Sequence, residues 1–249
     1  MREIYRSRLY RGTMNRDRFR FFASSHHESD LLTGVPHRSY HPEMEAVVRE
    51  ELFRLRTLLE NHASVHPHFL DSHEPLEILE GFSEELRIMY NCAKETATGP
   101  MSSVAGLFAE QVGKRLEAQY RPAEVVVENG GDLYIRNNAD LVSVIHAGRS
   151  PLSDRIGFLV PAGVRGICTS SGTMGHSYSY GKADAVTVIA ASTPLADAWA
   201  TALCNRVSTA ADIEPLLDDV SGFPSIMGCA VIVGDRIGIR GEFEVKLLY

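Results

Sequence analysis

The chain lacks any long hydrophobic run. None of its apolar stretches approaches the roughly 18 residues that a membrane-spanning helix requires. The first residues, Met1 to Arg6, carry positive charge, but no apolar segment of the kind found in secretory signals follows them. We therefore expect a cytoplasmic location and no membrane partner.

Clustered cysteine is also missing. The four cysteines, Cys92, Cys168, Cys204 and Cys229, lie far apart and form no Cys-x-x-Cys pair. Disulfide frameworks and structural zinc sites need paired or clustered cysteines, so these four are expected to be reduced, buried thiols.

The chain also lacks an excess of positive charge. The chain has 25 Lys and Arg against 32 Asp and Glu, which gives a formal net charge of -7. A nucleic-acid surface needs a basic stripe that displaces counterions from phosphates, so no nucleic-acid partner is expected. The chain also has no Gly-x-x-x-x-Gly-Lys-Ser/Thr loop, which excludes a P-loop nucleotide site.

The composition that is present is ordinary for a globular protein. The chain has 249 residues, 44 % of them hydrophobic, and can bury a sizeable core. Alternating apolar and polar residues predict two or three antiparallel strands within residues 1–35. Helical spacing predicts helices between Pro42 and Pro67, across 77–96 and across 102–119.

The second half predicts strands and one well-marked helix. Strands are expected at 124–128, 133–135, 141–146, 155–159, 166–169 and 185–190, with a hairpin over 229–240. Thr193-Pro194 predicts a helix start, with Thr193 as the N-cap, and this helix is expected to end near Val207.

These elements predict an α/β (α+β) fold with a mixed or antiparallel sheet packed against helices and with strands at both termini. No linker or repeat separates the halves, so a single domain over 1–249 is expected rather than two. Strands and helices would fill 1–98, a ligand pocket 99–205, and a helix and hairpin 206–249.

A loop rich in hydroxyl groups and glycine follows one predicted strand. It contains Thr169, Ser170, Ser171 and Gly172, and it continues to His176. Small residues let backbone N–H groups approach an anion, and hydroxyl groups add hydrogen bonds. The alternative interpretation is a Ser/Gly-rich surface loop.

Two further segments carry polar groups at informative spacings. Asn129-Gly130-Gly131-Asp132 could place a flat ring or phosphate against the backbone, although a hairpin turn needs the same residues. Asp197 and Thr201 are four residues apart on one helix face, where both oxygens could hold Mg²⁺ beside a phosphate. Alternatively, Asp197 only stabilises the helix start through its dipole.

In their order along the chain, these segments resemble the ApbE superfamily, whose members transfer FMN from FAD to Thr or Ser of target proteins. The family has an Ala-Lys-Gly helix, a Gly-Gly-Asp strand end, a Thr-Ser-Gly segment, an apolar strand and an Ala-Asp-Ala-x-x-Thr helix. The corresponding segments here are 104–106, 130–132, 169–172, 185–189 and 196–201.

The resemblance implies a set of metal ligands, but two of the family's motifs are incomplete or missing in this chain. Asp197, Thr201 and the backbone carbonyl of Ala105 would hold a divalent cation against the FAD diphosphate. The family's lysine is absent, because Ala105 is followed directly by Gly106, and no Asp-Pro-x-Thr-Gly segment precedes the strand at 185. The chain resembles most the short, uncharacterised cytoplasmic branch of the superfamily.

The leading hypothesis is metal-assisted binding of a phosphate-bearing ligand, FAD or another nucleotide, with a transferase activity related to FMN transfer. Gly130, Gly131, Asp132 and the 169–172 segment would bind the ligand, and His176 is the candidate general base because of its place in the hydroxyl-rich loop. The alternatives are a non-catalytic accessory protein that keeps the fold and an enzyme for another small anionic substrate. A homodimer and an unidentified acceptor are the protein partners considered.

Overall fold

Alternating side chains along the strands produce a sheet with two buried faces. In the computed structural model, which describes residues 11–12, 14–27, 29–173 and 180–248, eleven strands are present. They are β1 (Phe19–His26), β2 (Ser29–Pro36), β3 (Val125–Asn129), β4 (Asp132–Asn137), β5 (Leu141–Val144), β6 (Ile156–Val160), β7 (Gly163–Ser170), β8 (Ala185–Ala190), β9 (Gly228–Val233), β10 (Arg236–Gly241) and β11 (Val245–Leu247).

Five α-helices accompany these strands within the described residues. They are α1 (Met44–Val65), α2 (Glu84–Thr96), α3 (Val104–Tyr120), α4 (Thr193–Asn205) and α5 (Ile213–Val220). None of the five combines the length and the apolar content that crossing a bilayer requires.

The strands form two sheets. Eight lie in the order β1-β2-β3-β4-β7-β8-β9-β10, and three lie in the order β11-β6-β5. Every described strand pair is antiparallel. The prediction of helices packed on an antiparallel sheet, with strands near both termini, is confirmed.

The large sheet is the middle of three layers. On β3, Val125 and Val127 pack among the apolar residues of α1, α2 and α3, whereas Val126 between them packs toward the small sheet. Helices α4 and α5 cover the same face farther along, over β7, β8 and β9. A residue's position along a strand therefore decides whether it faces the helices or the small sheet.

Helix boundaries differ from the prediction at two places. Helix α2 begins at Glu84 rather than near 77, because the Ser83 side chain accepts the Leu86 N–H as an N-cap and Gly81 has a positive φ of 86°. The prediction that Thr193 is the N-cap of α4 is wrong: Ser192 holds that position, and Thr193 is the first helical residue. Helix α5 lies within 206–249, where a helix was expected, whereas the three-residue strand β11 was not predicted.

All four cysteines are buried, as expected. Burial is the largest cause that raises the pKa of Cys92 and of Cys229, each to about 12. Thiols with such pKa values stay protonated at neutral pH, so neither Cys92 nor Cys229 is an effective nucleophile.

Candidate functional site

The N-terminal turns of α3 and α4 meet at a glycine. The Gly106 N–H donates to Oδ2 of Asp197 over 2.8 Å. A Cβ at position 106 would lie 2.6 Å from the carbonyl oxygen of Thr193 and 2.9 Å from Cβ of Asp197. Only glycine therefore permits this approach without a shift of one helix, and the approach fixes the position of Asp197.

A second carboxylate crosses the same junction in the opposite direction. Oε2 of Glu110, on α3, accepts the Thr193 N–H of α4 over 2.7 Å. Neither Ser103 nor Ser192 makes a side-chain capping bond to its own helix. Each helix start is thus capped by a carboxylate from the other helix, which satisfies N–H groups that helix ends leave open.

Glu110 was not among the predicted site residues. It is buried, and its Oε1 accepts from Nζ of Lys114, one turn later, over 2.7 Å. The Glu-x-x-x-Lys spacing is visible in the sequence, but it is typical of any helix surface. The contact with Thr193 spans 83 residues and has no local signal.

A third carboxylate reaches the junction from the sheet. Asp132, the first residue of β4, lies opposite Cys168 of β7 and is buried. Burial raises the pKa of Asp197 well above its ordinary value, and the charge of Asp132 raises it further, while N–H groups of Gly106 and Ala105 act in the opposite direction. The same two carboxylates add to burial in raising the pKa of Cys168.

The Gly-Gly turn does what a hairpin requires and also lies beside the site. Gly130 and Gly131 have positive φ values of 70° and 110° between the paired residues Asn129 and Asp132, as in a two-residue turn. Nδ2 of Asn129 donates to the carbonyl oxygen of Ala105 over 3.1 Å. The hairpin therefore orients the carbonyl that the family resemblance marked as a metal ligand.

The turn itself is held from β3. Oε1 of Glu128 accepts the Gly131 N–H over 3.1 Å, and its other oxygen, Oε2, accepts from Nε of Arg11 over 2.6 Å. Arg11 also reaches Asp30 of β2 at 3.0 Å. This network fixes the turn and, through it, the start of β4.

Thr169 and Ser170, at the start of the hydroxyl-rich segment, point to opposite faces of the large sheet. Oγ of Ser170 lies 3.1 Å from Oγ1 of Thr201, which places both hydroxyl groups one helical turn from Asp197. The side chain of Thr169 is on the other face of the sheet, where its Oγ1 lies 2.8 Å from Oγ1 of Thr187. Only the backbone of Thr169 comes near the turn, since a Cβ at Gly131 would be 3.5 Å from its carbonyl oxygen.

The rest of the predicted loop makes hydrogen bonds within itself and with the residues just before β8. The Gly172 N–H donates to the carbonyl oxygen of Ala183 over 2.9 Å, and Oγ of Ser171 lies 3.3 Å from Oγ1 of Thr173. His176 lies outside the described residues. The structure thus groups Asp197, Thr201, Ala105, Asp132 and Ser170, and places the Thr169 side chain apart from them.

The chemistry of this group suits a hard cation. The available donors are carboxylate, hydroxyl and carbonyl oxygens, the ligands that Mg²⁺ prefers. Nowhere in the described ranges do three or more His, Cys, Asp or Glu side chains form a metal-binding group. Two carboxylates are sufficient for Mg²⁺, which commonly keeps waters and substrate phosphates as its other ligands.

Comparisons with known proteins agree with this architecture. A family model described as AbpE bacteria matches residues 11–216. A UPF0280 protein of Methanocaldococcus jannaschii is 35% identical over 223 residues, covering 86% of this chain and 88% of that protein. A UPF0280 protein of Methanopyrus kandleri is 41% identical over 193 residues, covering 75% and 78%.

Solved structures with the same fold have little sequence identity to this chain. The ApbE protein of Thermotoga maritima superposes with a TM-score of 0.61 at 12% identity, covering 90% of this chain and 97% of that one. The flavin transferase ApbE of Vibrio cholerae gives a TM-score of 0.57 at 13% identity, covering 89% and 96%. The predicted ApbE-like kinship is confirmed: the chain belongs to the family described as AbpE bacteria, is related to the UPF0280 proteins and has the ApbE fold.

Proposed function

We propose that this chain binds a phosphate-bearing nucleotide, with FAD as the first candidate, through a divalent cation held by Asp197, Thr201 and the Ala105 carbonyl. The observation that carries the proposal is the burial of Asp197 and Asp132 together, with the pKa of Asp197 raised in consequence. Solved proteins of this fold that are named flavin transferases support the choice of a flavin nucleotide.

A bound cation would neutralise charge on these carboxylates and on a nucleotide diphosphate at the same time. The chain's own groups are arranged to present oxygen donors to it. Asn129 orients the Ala105 carbonyl, and Ser170 holds the Thr201 hydroxyl. Gly106 lets α3 and α4 approach closely enough for Asp197 and Ala105 to act together.

The first prediction concerns Asp197→Asn. In wild-type protein, Mg²⁺ and FAD at about 100 times their dissociation constant should raise the melting temperature by roughly 5–10 °C. Asp197→Asn should lose this shift, because a neutral amide binds Mg²⁺ poorly. It should stay folded, since the amide oxygen still accepts the Gly106 N–H. The exposed carboxylate variant Asp219→Asn is the control and should keep the shift. A full shift in Asp197→Asn contradicts the proposed ligand set.

The second prediction compares two glycines of α3. Gly106→Ala should abolish the response to Mg²⁺ and FAD, because the new methyl group forces α3 away from Thr193 and Asp197. Gly113→Ala on the same helix places its methyl group 2.2 Å from the Tyr134 ring and should lower stability without removing the response. Differential scanning fluorimetry of both variants, with and without ligand, measures this. If Gly106→Ala keeps a ligand-induced rise in melting temperature as large as that of Gly113→Ala, the α3–α4 junction is not the binding site.

A second candidate function is an accessory protein that binds the nucleotide without transferring it. The missing lysine between Ala105 and Gly106 and the missing Asp-Pro-x-Thr-Gly segment favour it. Transfer would form a bond from an acceptor hydroxyl oxygen to the FMN phosphorus, break the bond to the AMP phosphate, release AMP and pass the hydroxyl proton to a base. His176 remains the predicted base.

The third prediction separates these two functions. Incubation with FAD, Mg²⁺ and peptides that contain Thr or Ser should give a covalent FMN adduct by mass spectrometry, with AMP in equal amount, if the chain is a transferase. FAD binding with unchanged peptide masses and no AMP across a broad panel indicates the accessory function. Neither binding nor transfer of FAD, with a response to another small anion, indicates the third alternative.

A further inference from the structure

A buried arginine lies on the face of the large sheet that is opposite Asp197. Arg165 and Ile167 of β7 face the small sheet, whereas Cys168 of the same strand faces α4. Arg165 is only 8% exposed and lies near the other end of the strand from Ser170. It takes no part in the site proposed above.

The guanidinium has backbone partners but, within the described part of the chain, no carboxylate in ion-pair contact. Nη1 donates to the carbonyl oxygen of Pro161 over 2.7 Å, and Nη2 donates to that of Ala162 over 3.3 Å. Nε is buried without a hydrogen-bond partner. Among the described residues no carboxylate forms an ion pair with Arg165, and burial alone lowers its pKa.

The backbone makes room for this charge. Gly163 has a φ of 150°, and a Cβ there would lie 2.3 Å from Nη2 of Arg165. An arginine stays protonated at any physiological pH, so the charge cannot be removed by titration. A buried charge without an ion-pair partner is costly, and an anion placed against the guanidinium from the cleft would offset that cost.

Arg165 lines a cleft of about 290 Å³ whose walls are largely apolar. Leu159, Met227 and Phe243 form the walls, and the Phe243 ring centroid lies 5.5 Å from Cζ of Arg165. Phe243 is held by an edge-on contact with Phe158, with 6.3 Å between the ring centroids. The cleft is therefore preformed, with one cation set in an apolar surface.

Two carboxylates stand at the rim. Glu242 and Glu244 line the cleft and are exposed, and Glu244 pairs with Lys246. Their charges would repel a ligand that carries several negative charges more strongly than a ligand that carries one, so Arg165 matches a single negative charge best. The size of the cleft is at the lower limit for ligand pockets, so the ligand would be small.

We propose that this cleft is a second ligand site that binds a small organic monocarboxylate, with the carboxylate on Arg165 and the apolar body against Phe243 and Met227. The alternative role for Arg165 is to fasten the 161–163 turn through its two carbonyl contacts. In that case the protein would show no specific response to a carboxylate.

The experiment uses benzoate as the probe and the full chain labelled with ¹³C in the methionine methyl groups. Benzoate should shift the Met227 resonance saturably at constant ionic strength, and the resonances of Met89 and Met101 should not move. The neutral isostere benzamide and the doubly charged phenyl phosphate should bind at least about tenfold more weakly, because each lacks the matched single charge.

Arg165→Met should reduce benzoate affinity by at least about tenfold, whereas Arg236→Met, at an exposed arginine, should not change it. If Arg165→Met fails to fold, the comparison of benzoate with benzamide on wild-type protein still tests whether binding requires the carboxylate charge. The proposal is overturned if Met227 does not respond to benzoate up to about 20 mM, if benzamide binds equally well, or if folded Arg165→Met binds benzoate with wild-type affinity.

Discussion

Two carboxylates that cross between α3 and α4 are the contacts on which the candidate site depends. Glu110 caps the start of α4, and Asp197 caps the start of α3. Because neither helix uses a side chain of its own N-cap residue, these two bonds make each helix start stabilise the other. Gly166 brings the same turn of α4 onto the sheet, since a Cβ there would lie 2.3 Å from Cα of Thr193.

This arrangement has an electrostatic consequence that links fold to function. Asp197 is buried by the helix contact that positions it, and the hairpin that orients Ala105 also delivers Asp132 to the same place. Two carboxylates in a poorly solvated position disfavour each other's ionised form. The proposed divalent cation would remove that conflict, so the junction is expected to be more stable with its ligand than without it. Sites that give up stability for binding in this way are common.

Local patterns in the sequence predicted most of the elements but not the contacts between them. The β3–β4 hairpin, strand β8 and helix α4 follow from the Gly-Gly turn, the apolar run and the Pro near the helix start. The predicted start of α2 is too early because apolar residues at 76, 78, 79 and 82 extend the helical spacing, although Ser83 is the N-cap and the helix begins at Glu84. Glu110 and Arg165 could not be assigned, because their roles arise from burial and from partners that the sequence does not place beside them. Family resemblance, by contrast, predicted Asp197, Thr201 and Ala105 as metal ligands, and the fold places these three residues near one another.

The large sheet has a helix-covered face with two neighbouring buried carboxylates, and an opposite face with a buried arginine that has no ion-pair partner among the described residues. On the helix-covered face, we propose that the α3–α4 junction holds the cation of a nucleotide complex. Crystals grown with Mn²⁺ and FAD test it most directly through an anomalous difference map. We predict a peak within about 2.5 Å of Asp197, Thr201 Oγ1 and the Ala105 carbonyl oxygen, adjoining the FAD diphosphate. Bound FAD with the manganese peak elsewhere, or with no peak at Asp197, would contradict the claim.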